Sequence, residues 1–84
     1  MFVRWKQRAL DHLADIYVAL PLAEQRLLAA DVEMVNRELL ARGGELGESR
    51  GGTRRMWFTE WLVVSFNILP NGGVDVSFVS DNRR

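Results

Sequence analysis

Three arginines lie close together near the middle of this 84-residue sequence, at Arg50, Arg54 and Arg55. They belong to a glycine-rich segment, Leu46–Arg55, that joins a helical first half to a second half with the alternating pattern of strands. A guanidinium is planar, permanently charged and able to hold a phosphate through two parallel hydrogen bonds. Arginines at the entrance to a strand therefore indicate a surface that faces phosphate.

The overall charge allows a second interpretation of these arginines. Eleven basic and eleven acidic residues give a net charge of zero, which argues against the large basic footprint of a typical nucleic-acid binder. Ten of the eleven basic residues are arginine, a bias that favours bidentate contacts with anions. The same side chains could instead be solvated charges that protect a strand edge from aggregation. The sequence leaves both interpretations open.

The remaining ionisable residues are weaker candidates for chemistry. His12 is expected on the surface of a helix or partly buried there, and Asp11 and Asp15 are expected to form helix-surface ion pairs with Arg8. Glu48 could act as a base beside the arginines, although a glutamate in a glycine-rich loop usually stays solvated. The sequence contains no cysteine, which excludes thiol catalysis, disulfides and thiolate metal sites. We predict neither a metal nor a cofactor.

Two tryptophans form a second candidate surface. Trp57 and Trp61 alternate with Met56, Phe58 and Leu62, so both indoles are expected on the exposed face unless the turn between them changes the parity and buries one. Exposed tryptophan is enriched at interaction hot spots. We therefore predict that they bind a partner, either a helix of another protein or a second copy of the chain, with stacking on an RNA base as the alternative.

A helical hairpin is expected to position these residues. A short strand-forming opening, Phe2–Trp5, precedes a first helix predicted over Lys6–Leu20, and Pro21 separates it from a second helix over Leu22–Arg42. Gly43 and the glycine after it end the second helix. The predicted apolar stripes are Leu10, Leu13, Ala14, Tyr17 and Leu20 on the first helix, and Leu28, Val32, Val35 and Leu39 on the second.

Three runs of alternating residues predict three strands in the second half, with a strong turn at Pro70–Gly73. We expect one α+β domain over residues 1–84, ordered β-α-α-β-β-β, in which the helical hairpin packs on an antiparallel meander and the N-terminal strand joins one edge. The residues expected to face the helices are Met56 and Phe58, then Leu62, Val64, Phe66 and Ile68, then Val74, Val76 and Phe78.

The order of these elements resembles the RelE/ParE toxin superfamily over almost the whole chain. Val3–Trp5 followed by Arg8–Tyr17 is similar to the family's opening, where a short strand leads into a helix with an A-x-x-x-L-x-x-I pattern. Leu46–Arg50 resembles the segment that the family carries between the second helix and the second strand. The matching positions are Ala9, Leu13 and Ile16 in the helix, and Arg54 or Arg55 followed by Leu62, Val64, Phe66 and Ile68 in the sheet.

The resemblance implies the toxin of a type II toxin–antitoxin pair, held inactive by a cognate antitoxin that wraps around it. RelE-like members cut mRNA on the ribosome without a metal, whereas ParE-like members act on DNA gyrase and cut nothing. We favour the RNA-directed branch because of the clustered arginines. The gyrase inhibitor and a non-catalytic protein-interaction module remain open, because the C-terminal half lacks the tyrosine or histidine that RelE-like nucleases use as an acid–base group.

The family pattern also assigns site residues. Arg50 and one of Arg54 and Arg55 match the family's basic positions, and Arg54 is preferred because Arg55 alternates with Met56. At the C-terminus, Arg83 and Arg84 either form a frayed tail or add phosphate contacts. No apolar run approaches the roughly 20 residues that cross a bilayer, so we expect a cytoplasmic protein without a membrane partner. The predicted sites are Arg54, Arg50 and Arg55 for catalysis, Arg50, Arg54, Arg83 and Arg84 for RNA phosphate, and Trp57 and Trp61 for the antitoxin.

Overall fold

The computed structural model describes residues 2–83, in which two helices and five strands follow the order β1-α1-α2-β2-β3-β4-β5. The predicted α+β architecture is confirmed, with β2 as a short additional strand before the predicted three. A single turn of 3-10 helix, Gly43–Glu45, follows α2. The bounds are Val3–Trp5 for β1, Gln7–Val18 for α1, Leu22–Arg42 for α2, Glu48–Ser49 for β2, Arg54–Phe58 for β3, Leu62–Ile68 for β4 and Val74–Asp81 for β5.

The five strands form one sheet in the order β1-β5-β4-β3-β2 within the described residues. β1 runs parallel to β5, and the other neighbours are antiparallel. Both helices pack on one face of the sheet, where the core lies. The opposite face, which we call the open face, carries no helix of the described residues. Neither helix among residues 2–83 is long and apolar enough to cross a membrane. The buried core comprises Ala9, Leu28, Val35, Leu39, Leu46, Trp61, Leu62, Val64, Phe66, Val74, Val76 and Val79.

Local interactions of the chain determine where the two helices begin and end. α2 has the predicted bounds, because Pro21 lies in an extended conformation just before it and a glycine follows Arg42. α1 is shorter than predicted, beginning one residue later and ending at Val18. Lys6 is extended and donates its backbone N–H to the carbonyl of Val76 at 2.9 Å, so it still belongs to the β1–β5 ladder.

The inward face of α1 differs from the predicted one. Leu10 and Tyr17 were expected in the core but are 42% and 40% exposed. Two apolar stripes on this helix satisfy the same spacing, and the sheet selects the one that begins with the small residue Ala9, which is fully buried. A small side chain at this position lets the helix approach β5 closely. The residues of α1 and its C-terminal extension that pack inward are Ala9, Leu13, Ile16 and Leu20.

The parity predicted for β3 is wrong. Trp57 pairs with Val64 and Arg55 pairs with Phe66, so Trp57 and Arg55 point toward the helices. Phe58, predicted to be buried, is 53% exposed on the open face. Both alternating sets of this strand contain large apolar side chains, so periodicity alone cannot select the buried face.

A β-bulge shifts the second half of β5. Ser65 pairs with Phe78 while the next residue of β4, Phe66, pairs with Val76, which leaves Ser77 as the extra residue. Beyond the bulge, Val79 enters the core with 1% exposure and Phe78 turns to the open face. The prediction that Phe78 packs against the helices is therefore wrong, because an inserted residue reverses the alternation.

A glycine just before β2 provides a test of this fold. Gly47 has a φ of 66°, and a Cβ at this position would collide with the carbonyl oxygen of Met56. We expect Gly47→Ala to lower the free energy of unfolding by about 2 kcal/mol or more in urea denaturation. Gly44→Ala is the control, because nothing lies within 4 Å of its added Cβ. Equal stability of the two variants would contradict the position assigned to Gly47.

Candidate anion-binding site on the open sheet face

Three cationic side chains from separate elements meet in one pocket on the open face. Lys6 and Arg8 come from the junction of β1 and α1, and Arg54 comes from the start of β3. We call this cavity of about 430 Å³ the basic pocket. Its lining residues are Lys6, Arg8, Arg54, Asn67, Ser77 and Phe78.

The register of the sheet brings these residues together. Arg54 pairs with Asn67 across β3 and β4, and Asn67 pairs with Asp75 across β4 and β5. Asp75 in turn pairs with Arg4 on β1. Paired residues of neighbouring strands point to the same face. A polar row therefore crosses four strands of the open face and ends beside Lys6.

The two guanidinium groups of the basic pocket are anchored through Nε. Arg54 donates from Nε to the hydroxyl of Ser65 at 3.3 Å, and Arg8 donates from Nε to the carbonyl of Ser77 at 3.4 Å. Within residues 2–83, no hydrogen bond occupies the terminal Nη atoms of either arginine. Those atoms can grip an anion with the paired geometry that a guanidinium offers to phosphate.

Asp75 neighbours two residues of the basic pocket, Asn67 and Lys6, and counterbalances part of the pocket's charge. Its side chain is 8% exposed and accepts hydrogen bonds from Arg4 Nε at 3.2 Å and Arg4 Nη2 at 3.4 Å. Lys6 Nζ lies 3.8 Å from Oδ2 of the same carboxylate, the oxygen that also accepts from Arg4 Nη2. A buried carboxylate requires such partners. Asp75 therefore holds both cations on the open face, while Lys6 keeps half of its side chain in solvent.

Arg55 points to the face opposite Arg54, and the structure does not bring it to the basic pocket. Its Nε donates to the carbonyl of Leu46 at 2.7 Å, and its Nη2 donates to the carbonyl of Gly47 at 2.9 Å. These bonds fasten the segment after the 3-10 helix onto β3. The geometry suits a structural contact, and the catalytic role predicted for Arg55 stays a prediction.

Arg50 lies in the turn of the β2–β3 hairpin, outside the basic pocket. Its backbone N–H donates to the carbonyl of Arg54 at 2.8 Å, which closes the hairpin. Its guanidinium forms an ion pair with Glu48 at 3.4 Å. The glutamate considered as a base thus partners Arg50. Both side chains are largely exposed, and the roles predicted for Arg50 remain untested.

The predicted exposure of the tryptophans is wrong for Trp61. This indole is 5% exposed, and the guanidinium of Arg83 lies 4.3 Å above its ring. Arg83 also forms an ion pair with Glu60, with 3.5 Å between the charged groups. Its side chain therefore lies against the β3–β4 turn and does not line the basic pocket. Trp57 is half-buried against the core. Antitoxin binding by the tryptophans stays a prediction, and Arg84 lies outside the described residues.

Most residues of the basic pocket were not predicted from the sequence. Arg8 was predicted only as an ion-pair partner on the helix surface and Lys6 was given no binding role, yet their distance from Arg54 in sequence is closed by the parallel pairing of β1 with β5. Asn67 could have been found from its place opposite Arg54 in a β3–β4 hairpin. Ser77 and Phe78 owe their positions to the bulge, for which the sequence carries no clear signal.

Arg54 and Arg55 form a matched pair for separating structure from binding. We expect Arg55→Met to lower the free energy of unfolding by about 1–2 kcal/mol, because two backbone carbonyls lose a charged donor. Arg54→Met should change it by less than about 0.5 kcal/mol. Urea denaturation of both variants measures this difference. Equal losses would contradict the opposite orientations of the two side chains.

The carboxylate of Asp75 should oppose anion binding in the basic pocket. We expect Asp75→Asn to tighten the binding of inorganic phosphate about 3–10-fold at low ionic strength, because a negative charge beside Lys6 is removed. Isothermal titration calorimetry measures the change. Glu33→Gln, on the exposed side of α2, is the control with equal change in net charge. An unchanged phosphate affinity in Asp75→Asn would show that the anion does not bind beside Lys6.

Comparison with solved structures finds several chains of the same shape. The chain matches a structure of the chromosomal ParDE toxin–antitoxin system of P. aeruginosa with a TM-score of 0.74 and 19% identity, covering 96% of this chain and 95% of that one. It matches the toxin–antitoxin complex RelBE2 of Mycobacterium tuberculosis with a TM-score of 0.77 and 20% identity, covering 99% and 92%. For the intact E. coli RelBE complex the TM-score is 0.58 at 16% identity, covering 99% and 98%.

In comparisons of sequence, by contrast, no family model and no curated protein matches the chain. The similarity therefore lies in three dimensions, in the arrangement of a helical hairpin on one face of a sheet whose first strand is parallel to its last. It extends over nearly the whole chain in each of the three structures. The chain has the fold of the RelE/ParE toxin superfamily.

Proposed function

We propose that this protein is the toxin of a type II toxin–antitoxin pair and that it acts as a RelE-like, metal-independent mRNA endoribonuclease on the ribosome. The observation that carries the proposal is the convergence of Lys6, Arg8 and Arg54 in one pocket of the open face. Fold similarity to the toxin–antitoxin structures supports the wider role. The pocket supports RNA as the target, because its charge and donors suit a phosphodiester.

Cleavage of RNA without a metal places negative charge on the phosphate oxygens as the 2′-oxygen attacks phosphorus and the 5′-oxygen leaves. The Nη groups of Arg8 and Arg54 and the ammonium of Lys6 would stabilise that charge in the transition state. A proton must also leave the 2′-hydroxyl and another must reach the 5′-oxygen. We assign these transfers to Asp75 as proton acceptor and to Lys6 as proton donor, whose charged groups lie 3.8 Å apart.

A cognate antitoxin would cover surfaces that the chain leaves open. The outer stripe of α1 exposes Leu10, Tyr17 and Val18, and Phe58 exposes 53% of its surface on the open face. Exposed apolar side chains grouped on one helix are typical of a protein interface. An antitoxin that covers both this stripe and the open face would also block the basic pocket, which explains neutralisation by occlusion.

A ParE-like gyrase inhibitor without nuclease activity is the second candidate. The observation in its favour is the position of the acid–base residues, since the one tyrosine and the one histidine of the sequence, Tyr17 and His12, both lie on α1. Neither lines the basic pocket. In this case the cations of the pocket would contact an acidic protein surface rather than RNA.

Induced expression in a bacterial host separates these functions. We expect growth arrest accompanied by new, discrete mRNA 5′ ends in primer extension. Arg54→Ala should reduce the yield of those ends about 100-fold, because a donor to the transition-state charge is lost. Arg37→Ala, an exposed arginine of α2 outside the pocket, is the control and should act as wild type.

Other outcomes of the same experiment assign other functions. Arrest with intact mRNA and inhibited supercoiling by gyrase would replace the nuclease with the ParE-like activity. Absence of arrest despite accumulation of folded protein would leave an interaction module without toxicity. Full cleavage by Arg54→Ala would remove the basic pocket from the mechanism, because one of its two guanidinium groups would then be dispensable.

A further inference from the structure

A second cavity adjoins the basic pocket on the far side of Phe78. It has a volume of about 270 Å³ and lies between α1 and the second half of β5. Phe78 lines both cavities, so a single aromatic ring separates a strongly polar pocket from a mainly apolar one. The lining residues that matter here are His12, Asp15, Ile16, Phe78, Ser80 and Asp81.

The ring of Phe78 is held in place from the side of α1. The imidazole of His12 meets it edge-on, with ring centroids 4.5 Å apart and an interplanar angle of 85°. The guanidinium of Arg8 lies 6.0 Å from the same ring centroid. The bulge at Ser77 aims the ring at the open face, where 37% of the residue stays exposed. An exposed aromatic surface beside cations is therefore fixed between the two cavities.

We propose that this second cavity is a nucleobase subsite, in which the base of a nucleotide stacks on Phe78 while its phosphate occupies the basic pocket. The proposal rests on the proposed function, because it deepens RNA binding by the same face. In a nucleotide one ribose separates phosphate from base, and in this protein one side chain separates the two cavities. Stacking of an unpaired base on an aromatic ring, with an arginine nearby, is a common means of binding single-stranded RNA.

The rim of the cavity adds a preference among bases. Asp15 and Asp81 are among the lining residues, and a carboxylate accepts hydrogen bonds but donates none. Asp81 already accepts one from the backbone N–H of Arg83 at 2.7 Å, so Asp15 is the acceptor for a ligand. Within residues 2–83, Asp15 has no hydrogen-bond or ion-pair partner. Adenine, cytosine and guanine carry an exocyclic amino group that can donate to it, whereas uracil carries carbonyl oxygens at both exocyclic positions. The subsite should therefore prefer amino-bearing bases over uracil.

Binding of small phosphates to the purified protein tests the subsite independently of cleavage. The probes are AMP, UMP and ribose 5-phosphate, which has the same phosphate and sugar but no base. By isothermal titration calorimetry, we expect AMP to bind about 10-fold tighter than ribose 5-phosphate. UMP should bind between them, about 3-fold weaker than AMP.

Three variants assign any difference to the subsite. Phe78→Leu should abolish the advantage of AMP over ribose 5-phosphate, whereas Phe78→Tyr, which keeps the ring, should retain it. Asp15→Asn should remove the preference for AMP over UMP and leave stacking intact. Phe58→Leu is the matched control, because Phe58 is an exposed aromatic of the open face that lines neither cavity. Circular dichroism checks that each variant is folded.

The outcomes separate this proposal from the proposed function. Equal affinities of the wild-type protein for AMP and ribose 5-phosphate would overturn the base subsite and leave the phosphate pocket standing. Failure of all three probes to bind would overturn both. Base-dependent binding that Phe78→Leu abolishes would support the subsite even if cellular mRNA stays intact. In that case only the proposed nuclease activity would be contradicted.

Discussion

The parallel pairing of β1 with β5 is the interaction on which the candidate site depends. The ladder begins with Val74 N–H donating to the carbonyl of Phe2 at 2.8 Å and ends with Lys6 N–H donating to the carbonyl of Val76 at 2.9 Å. At that point the chain leaves the sheet to begin α1, and β5 loses its neighbour. The bulge at Ser77 follows at once. The end of one short strand thus places two cations beside Arg54 and frees the aromatic residue after the bulge to face outward.

The distribution of charge matters more here than its sum. A net charge of zero argued against nucleic acid, but most of the arginines outside the basic pocket already have partners, as Arg50 does with Glu48 and Arg83 with Glu60. Arg8 and Arg54 instead use Nε for neutral oxygens, and no hydrogen bond within residues 2–83 occupies their Nη atoms. Exposed ion pairs stabilise a protein little. They do, however, pair these cations with carboxylates, which leaves less unpaired positive charge outside the basic pocket.

Local signals explain which elements could be predicted from the sequence. The bounds of α2 were predicted because Pro21 and a glycine pair enclose a long helical pattern. Arg54 lines the basic pocket, whereas Arg55 is held by backbone carbonyls rather than solvated; the catalytic preference for Arg54 stays a prediction. The orientation of α1 and β3 could not be predicted, because both faces of each element carry apolar residues. Only packing against the rest of the chain decides between two such faces.

The bulge in β5 and the outward position of Phe78 were not predicted from the sequence, and both shape the two cavities. A bulge reverses the alternation of buried and exposed residues along a strand. A residue beyond the bulge is therefore predicted to be buried from the sequence pattern but lies on the surface in the structure. Phe78 satisfies every local rule for a core position, yet it lies on the open face with 37% of its surface exposed. A large exposed aromatic side chain is costly to keep in water unless something covers it. Its position between a cationic pocket and an apolar one is better explained by a ligand with both characters, and a nucleotide is such a ligand.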